Sequence, residues 1–118
     1  SEIIIGFRRF CSFNNFKFEI LQEFKETTPV EKNCAYVIIE ENDLVNLIKG
    51  IKALKLKLSE DVGILSYNDT ALKEVLADGI SVITTDFVKM GELTASMILG
   101  QISGAYKNDF KLIRRKSL

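Results

Sequence analysis

The stretch Asp61–Gly91, DVGILSYNDTALKEVLADGISVITTDFVKMG, decides the fold. Val62–Ser66 is a short, largely apolar run of the kind that forms a buried parallel strand. It leads into a polar tip, Ser66-Tyr67-Asn68-Asp69-Thr70. Thr70–Ala77 reads as a short helix, with Asp78-Gly79 as its exit. Ile80–Thr85 is the next strand. Asp86–Ser103 follows as a long amphipathic helix built on Phe87, Met90, Leu93, Thr94, Met97 and Ile98, and Gly104 falls where a C-terminal cap is expected. This order puts polar and aromatic groups at strand ends, where open α/β sheets bind small ligands.

The flanks extend the pattern. Residues 2–13 carry apolar groups at helical spacing, with either Ile3, Phe7, Phe10 and Cys11 or Ile4, Phe7 and Cys11 sharing a face, and Asn14-Asn15 ends that helix. Phe16–Glu23 alternates, with Phe16, Phe18 and Ile20 against Lys17 and Glu19, and is expected to be a half-buried strand. Residues 25–33 are polar, hold the only proline, Pro29, and read as a loop. Ala35–Ile39 is an apolar run typical of a buried strand. Glu40–Asp43 leads into a helix with the stripe Leu44, Leu47, Ile48, Ile51 and Leu54, and with Lys49, Lys52 and Lys55 outward. Asp43 is a candidate cap for it. Phe110–Arg114 is a last short strand. Strands alternating with helices predict an α/β fold, a Rossmann-like three-layer sandwich with a mostly parallel sheet.

Composition narrows the function. The 118 residues suffice for one modest domain, and 47% apolar with 27% charged residues are globular values. Sixteen basic and sixteen acidic residues cancel, which argues against a nucleic-acid surface spread over the chain. Arg114-Arg115-Lys116 is too small a cluster to change that. With no histidine, the commonest general base and metal ligand are both missing, so no metal site and no catalytic residue is expected. Cys34 has no histidine to activate it, and Cys11 reads as core. Two cysteines make no disulfide framework, which suits a reduced cytoplasm. No run is long enough to span a membrane, and Arg8-Arg9 interrupts the only apolar stretch near the start. The opening Ser1–Phe7 has no leading methionine or turn and reads as the middle of a longer chain.

Several local motifs now align with one family. Ile5-Gly6-Phe7-Arg8-Arg9-Phe10 resembles the "GF..F" helix start of lac-repressor-type (LacI/GalR) effector-binding domains. Ala35–Glu41 resembles the strand and turn before their central helix. Leu58–Ile64 is similar to their P-E-D-V segment, with Ser59 in place of proline. Ser66–Thr70 resembles the G-[FY]-D-D strand tip, Ile83–Gly91 the crossover and helix, and Leu112–Leu118 the closing L-x-x-R-x-S. The resemblance implies a periplasmic-binding-protein-like fold of two lobes with a sugar-sized cleft. Residues 1–118 would be the C-terminal lobe and crossover segments, with the N-terminal lobe and DNA-binding domain outside this chain. The spelling around Tyr67-Asn68-Asp69-Thr70 and Thr85-Asp86-Phe87 looks closer to regulators with a GntR-type winged-helix head.

The resemblance also supplies candidate ligand contacts. Asn68 falls where the family carries a carboxylate that binds sugar hydroxyls, and an amide can both donate and accept. Its alternative role is a turn or cap residue. Asp69 is a ligand candidate and also the expected N-cap of the Thr70–Ala77 helix. Glu40 matches a cleft-facing position, or is a solvated or capping carboxylate. Phe87 matches an aromatic that packs on a sugar ring, or is core. Tyr67 alternates with Asn68 along the strand, so only one of them points to a given face. Asp86 caps its helix or bridges the lobes. The family's sugar-binding arginine falls on Ile3, a departure that implies a different ligand or a substitute residue.

The expected function is therefore effector sensing in a bacterial transcription regulator. A small molecule, a carbohydrate or related metabolite, would bind between lobes and control a separate DNA-binding head. No enzyme activity and no cofactor are expected. Homodimers, or self-association by domain swapping or by the uncovered Asp86–Ser103 helix packing on a second copy, are the expected assembly. The alternative is a fragment of an exported sugar-binding protein of a transport system. A small α/β enzyme or phospho-acceptor domain is disfavoured, since neither G-x-G-x-x-G nor G-x-x-x-x-G-K occurs.

Overall fold

The computed structural model describes residues 2–85, 87–101, 104 and 109–118, with residues 87 and 88 described by backbone alone. Helix α1 (Glu2–Phe13) comes first, then strand β1 (Cys34–Ile38), helix α2 (Glu41–Ala53) and strand β2 (Val62–Tyr67). A short helix α3 (Ala71–Val75) and a 3₁₀ turn at Leu76–Asp78 lead to β3 (Ser81–Thr85), α4 (Phe87–Ile98) and β4 (Phe110–Ile113). The sheet order is β1-β2-β3-β4, parallel except for the β3–β4 pair. The α/β class and the mostly parallel sheet follow the expectation from alternating strands and helices.

One face of the sheet meets α2. Leu44, Leu47, Ile48 and Ile51 recur at helical spacing and are buried against Ile38, Val62, Ile64 and Ile80. Leu54, the fifth residue of the expected stripe, is the C-cap and lies exposed, because the helix ends one residue earlier. The opposite face carries Val37 and Leu65 in register, and Leu112 beyond Ile83, and both Val37 and Leu112 are exposed.

The expected strand at Phe16–Glu23 does not form. Phe16 and Phe18 instead pack on α1, their rings 5.9 Å from Phe10 and 5.6 Å from Phe7. Beyond them the chain is pinned to α2. Asp43 Oδ1 accepts from the Phe24 N–H at 3.0 Å, and Asn46 Nδ2 donates to the Phe24 carbonyl at 2.9 Å. Asp43 thus secures this loop rather than capping its own helix, whose N-cap is Glu40. Phe24 is buried edge-on to Tyr36.

Helix α4 is shorter than expected. The Gly100 N–H donates to Met97 O (3.1 Å) and the Gln101 N–H to Ser96 O (3.0 Å), a Schellman closure. Gly100 sits at φ +73°, so the cap is Gly100 and not Gly104. Among the described side chains of α4, only Leu93 and Ser96 are half-buried, and the rest are exposed. Lys89 pairs with Asp109, which ties α4 to the approach to β4. The Cα radius of gyration is 16.9 Å, against about 13.5 Å for a compact domain of this length. Among the described residues no helix is long and apolar enough to cross a membrane.

Candidate functional site

Register brings the five candidate residues to one edge of the sheet. Ile38 pairs with Ser66, so Glu40 and Asn68 each lie two residues past a matched pair. Tyr67 pairs with Ile83 on β3, and Phe87 follows Thr85, the last residue of that strand. All five therefore sit at the carboxyl ends of parallel strands, the usual place for a ligand in an open α/β sheet.

The tip of β2 is built around Asn68. Its φ of +63° is a left-handed conformation that asparagine tolerates better than most residues, and it turns the chain out of the strand. Its N–H still donates to Ile83 O at 2.7 Å, and the next N–H, of Asp69, donates to Thr84 Oγ1 at 3.0 Å. Asn68 Oδ1 is shielded from solvent and has no hydrogen-bond partner among the described residues. Ser66 Oγ, two residues earlier, shares that condition. Glu40 is exposed with no side-chain cap bond, and Tyr67 is half-buried. Phe87 opens α4, but its side chain and the whole of Asp86 lie outside the described residues.

Two cations hold the tip from behind. Lys73 is 4% exposed, and its ammonium donates to the carbonyls of Tyr67 (2.9 Å) and Asn68 (2.7 Å). Burial pushes its pKa down, while the charges of Glu41 and Asp69 oppose that shift. Arg115 forks onto Asp69, with Nη1 to Oδ1 at 2.8 Å and Nη2 to Oδ2 at 2.7 Å. Thr70, not Asp69, is the N-cap of α3, and its hydroxyl accepts from the Lys73 N–H at 3.3 Å. Asp69 is diverted from capping because its carboxylate is engaged by Arg115, although Oδ1 also accepts from the Thr70 N–H at 3.0 Å.

Neither cation carries a sequence signal that marks it as a site residue. Arg115 lies in the closing L-x-x-R-x-S segment, a motif legible in sequence, while its partner lies 46 residues away. Lys73 carries no local signal beyond its place one turn after Thr70.

The Arg115 hydrogen bonds hold the Asp69 carboxyl below the usual carboxylate range, against the opposing effect of burial. Its unfolded pKa is about 3.9. The stabilisation is complete above that value and is lost as pH falls through the lower, folded one. Asp69→Asn should cost about 2 kcal/mol at neutral pH. It should also flatten the fall in melting temperature below about pH 4 that wild type shows. An equal acid dependence in both proteins would count against this pairing.

The remaining chemistry is sparse. The Cys34 thiol faces the Glu31 carboxylate at 3.7 Å, and burial and that carboxylate push its pKa up, which disfavours the nucleophilic thiolate. Among the described residues no three His, Cys, Asp or Glu side chains converge as a metal site.

No family model matches the chain, and no curated protein sequence matches it. Solved structures do. The lac repressor bound to ONPG in its repressed state is 15% identical, with a TM-score of 0.69, over 98% of this chain and 40% of that one. A lac repressor dimer bound to operator and the anti-inducer ONPF is 19% identical, with a TM-score of 0.55, over 70% of this chain and 31% of that one. A chain from Staphylococcus saprophyticus subsp. saprophyticus, described as a transcription regulator, is 25% identical with a TM-score of 0.53, over 70% and 32% of the two chains. The fold is the one these regulators share, and the chain spans between three tenths and four tenths of their length.

Proposed function

We propose that residues 1–118 form the C-terminal lobe and crossover segments of an effector-binding domain in a bacterial transcription regulator. The strand tip carries this reading. Asn68 sits at the carboxyl end of an interior parallel strand, with a carboxamide acceptor that has no described partner, in a fold shared with the lac repressor. An unmet buried acceptor costs about 1–3 kcal/mol, and a ligand hydroxyl or N–H reached by a small rearrangement would recover it. Asn68, Tyr67, Glu40 and Phe87 would surround a carbohydrate or related metabolite, with Asp69 behind them.

In this reading the chain is not an enzyme and acts in the cytoplasm. DNA is touched only by a head outside these residues. The effector acts by binding one arrangement of a homodimer better than another. The exposed Met90, Ile98 and Leu99 of α4 and its C-terminal turn suit a helix that is covered in the assembled protein. The solved neighbours lend nothing to a GntR-type head.

The test uses the intact protein. Sedimentation should give a dimer. Asn68→Ala and Phe87→Ala should keep operator binding while weakening the effector response about tenfold to a hundredfold. A normal response in both variants would refute the site.

A further inference from the structure

We infer that Arg115 is a positioning residue for the strand tip, and that Arg114–Leu118 is the clasp through which it acts. The inference rests on reading that tip as a ligand site. It starts from where that segment lies. Ser117 fills the gap where β2 and β3 part, since Ile64 donates to Ser117 O at 2.7 Å and Ser117 donates to Gly79 O at 3.2 Å. Two residues earlier, the Arg115 N–H donates to Ser81 Oγ at 2.8 Å, and Arg115 Nη1 donates to Ile80 O at 2.9 Å. The guanidinium is thereby anchored on the start of β3 before it reaches across to Asp69. Gly79, at φ +110°, makes room for this, because a Cβ there would stand 3.1 Å from the Arg115 side chain.

The far end of the fork is the tip itself. The Arg115 and Asp69 side chains are only 16% and 19% exposed, so solvent does little to weaken the pair. Asp69 follows Asn68 directly, and both amides bond to β3. Holding the Asp69 carboxylate therefore limits how Asn68 can turn. Glu74 stands at 3.9 Å from the same guanidinium and is largely solvated, so Asp69 is the dominant partner. The clasp also follows directly on β4, the strand reached after α4. That path links the tip to the helix proposed above to be covered in the assembly.

The test is amide hydrogen exchange on the full chain, which needs no ligand. Arg115→Met should speed exchange at Asn68 and Asp69 by about tenfold or more, while the amides of Ile48 and Ile51 in α2 keep their protection. Arg115→Lys, which keeps charge and stem but loses the fork, should fall between, and it serves as the reading if Arg115→Met does not fold. Adding Asp69→Asn to Arg115→Met should bring little further change, since the two groups act as one pair. Unchanged protection at the tip would overturn the inference. So would one common factor of acceleration across the tip and α2, which would make Arg115 a general stabiliser. A normal effector response in the Asn68 and Phe87 variants would instead remove the ligand site and leave the exchange result standing.

Discussion

Leu47→Ala is expected to destabilise the fold by about 2–5 kcal/mol. Leu47 is 0% exposed in the middle of α2, where the helix stripe meets the sheet. Truncation removes the transfer energy of the lost methyl groups. It also leaves a cavity between a helix and a sheet, two rigid elements that cannot close on it. A domain of this size holds only about 5–15 kcal/mol in total, so the loss is a large share of it. Leu54→Ala is the matched control, seven residues further along the same helix pattern but 57% exposed. It should change stability by no more than about 0.5 kcal/mol. Urea unfolding reads both, and equal midpoints would show that α2 is not packed as described.

Ser117→Ala should cost about 2–4 kcal/mol, a large value for a residue outside any helix or strand. The Ser117 hydroxyl accepts from the Ser81 N–H and donates to Ile64 O, both at 2.7 Å. Ser117 and Ser81 are fully buried. Alanine fits the space but strands one backbone donor on β3 and one acceptor on β2, out of reach of water. Each stranded group costs about 1–3 kcal/mol, somewhat more than the roughly 1 kcal/mol an average hydrogen bond contributes. Ser12→Ala, on the exposed side of α1, should be neutral or slightly stabilising. A Ser117→Ala midpoint equal to that of wild type would mean that Arg114–Leu118 is not held between the strands.

These two sites differ in how far the sequence reveals them. Leu47 is legible because burial on one helix face imposes a period of 3.6 on the neighbouring residues themselves. The apolar runs at Ala35–Ile39 and Val62–Ser66 are legible for a similar reason, and both became parallel strands. Phe16–Glu23 misled because alternation specifies two faces but not a hydrogen-bonding partner. Its aromatics found α1 before any strand did. At the strand tip, position was readable and partnership was not. Asn68 at the end of a strand follows from the run before it. Asp69 reads as a helix cap until Arg115, 46 residues on, takes its carboxylate and leaves the cap to Thr70. Lys73 is hidden for the same reason, since its partners are backbone carbonyls and carry no residue signature.

The measurement that tests the central claim most directly is a thermal-shift screen of the intact protein against monosaccharides, disaccharides, sugar phosphates and nucleosides. It is run in parallel on wild type and Asn68→Ala. A ligand at a hundred times its Kd stabilises by about 2.7 kcal/mol, a clear rise in melting temperature. The account predicts at least one compound that raises the wild-type melting temperature and largely fails to do so in Asn68→Ala. A panel with no shift in wild type, or a shift of equal size in both proteins, would contradict it.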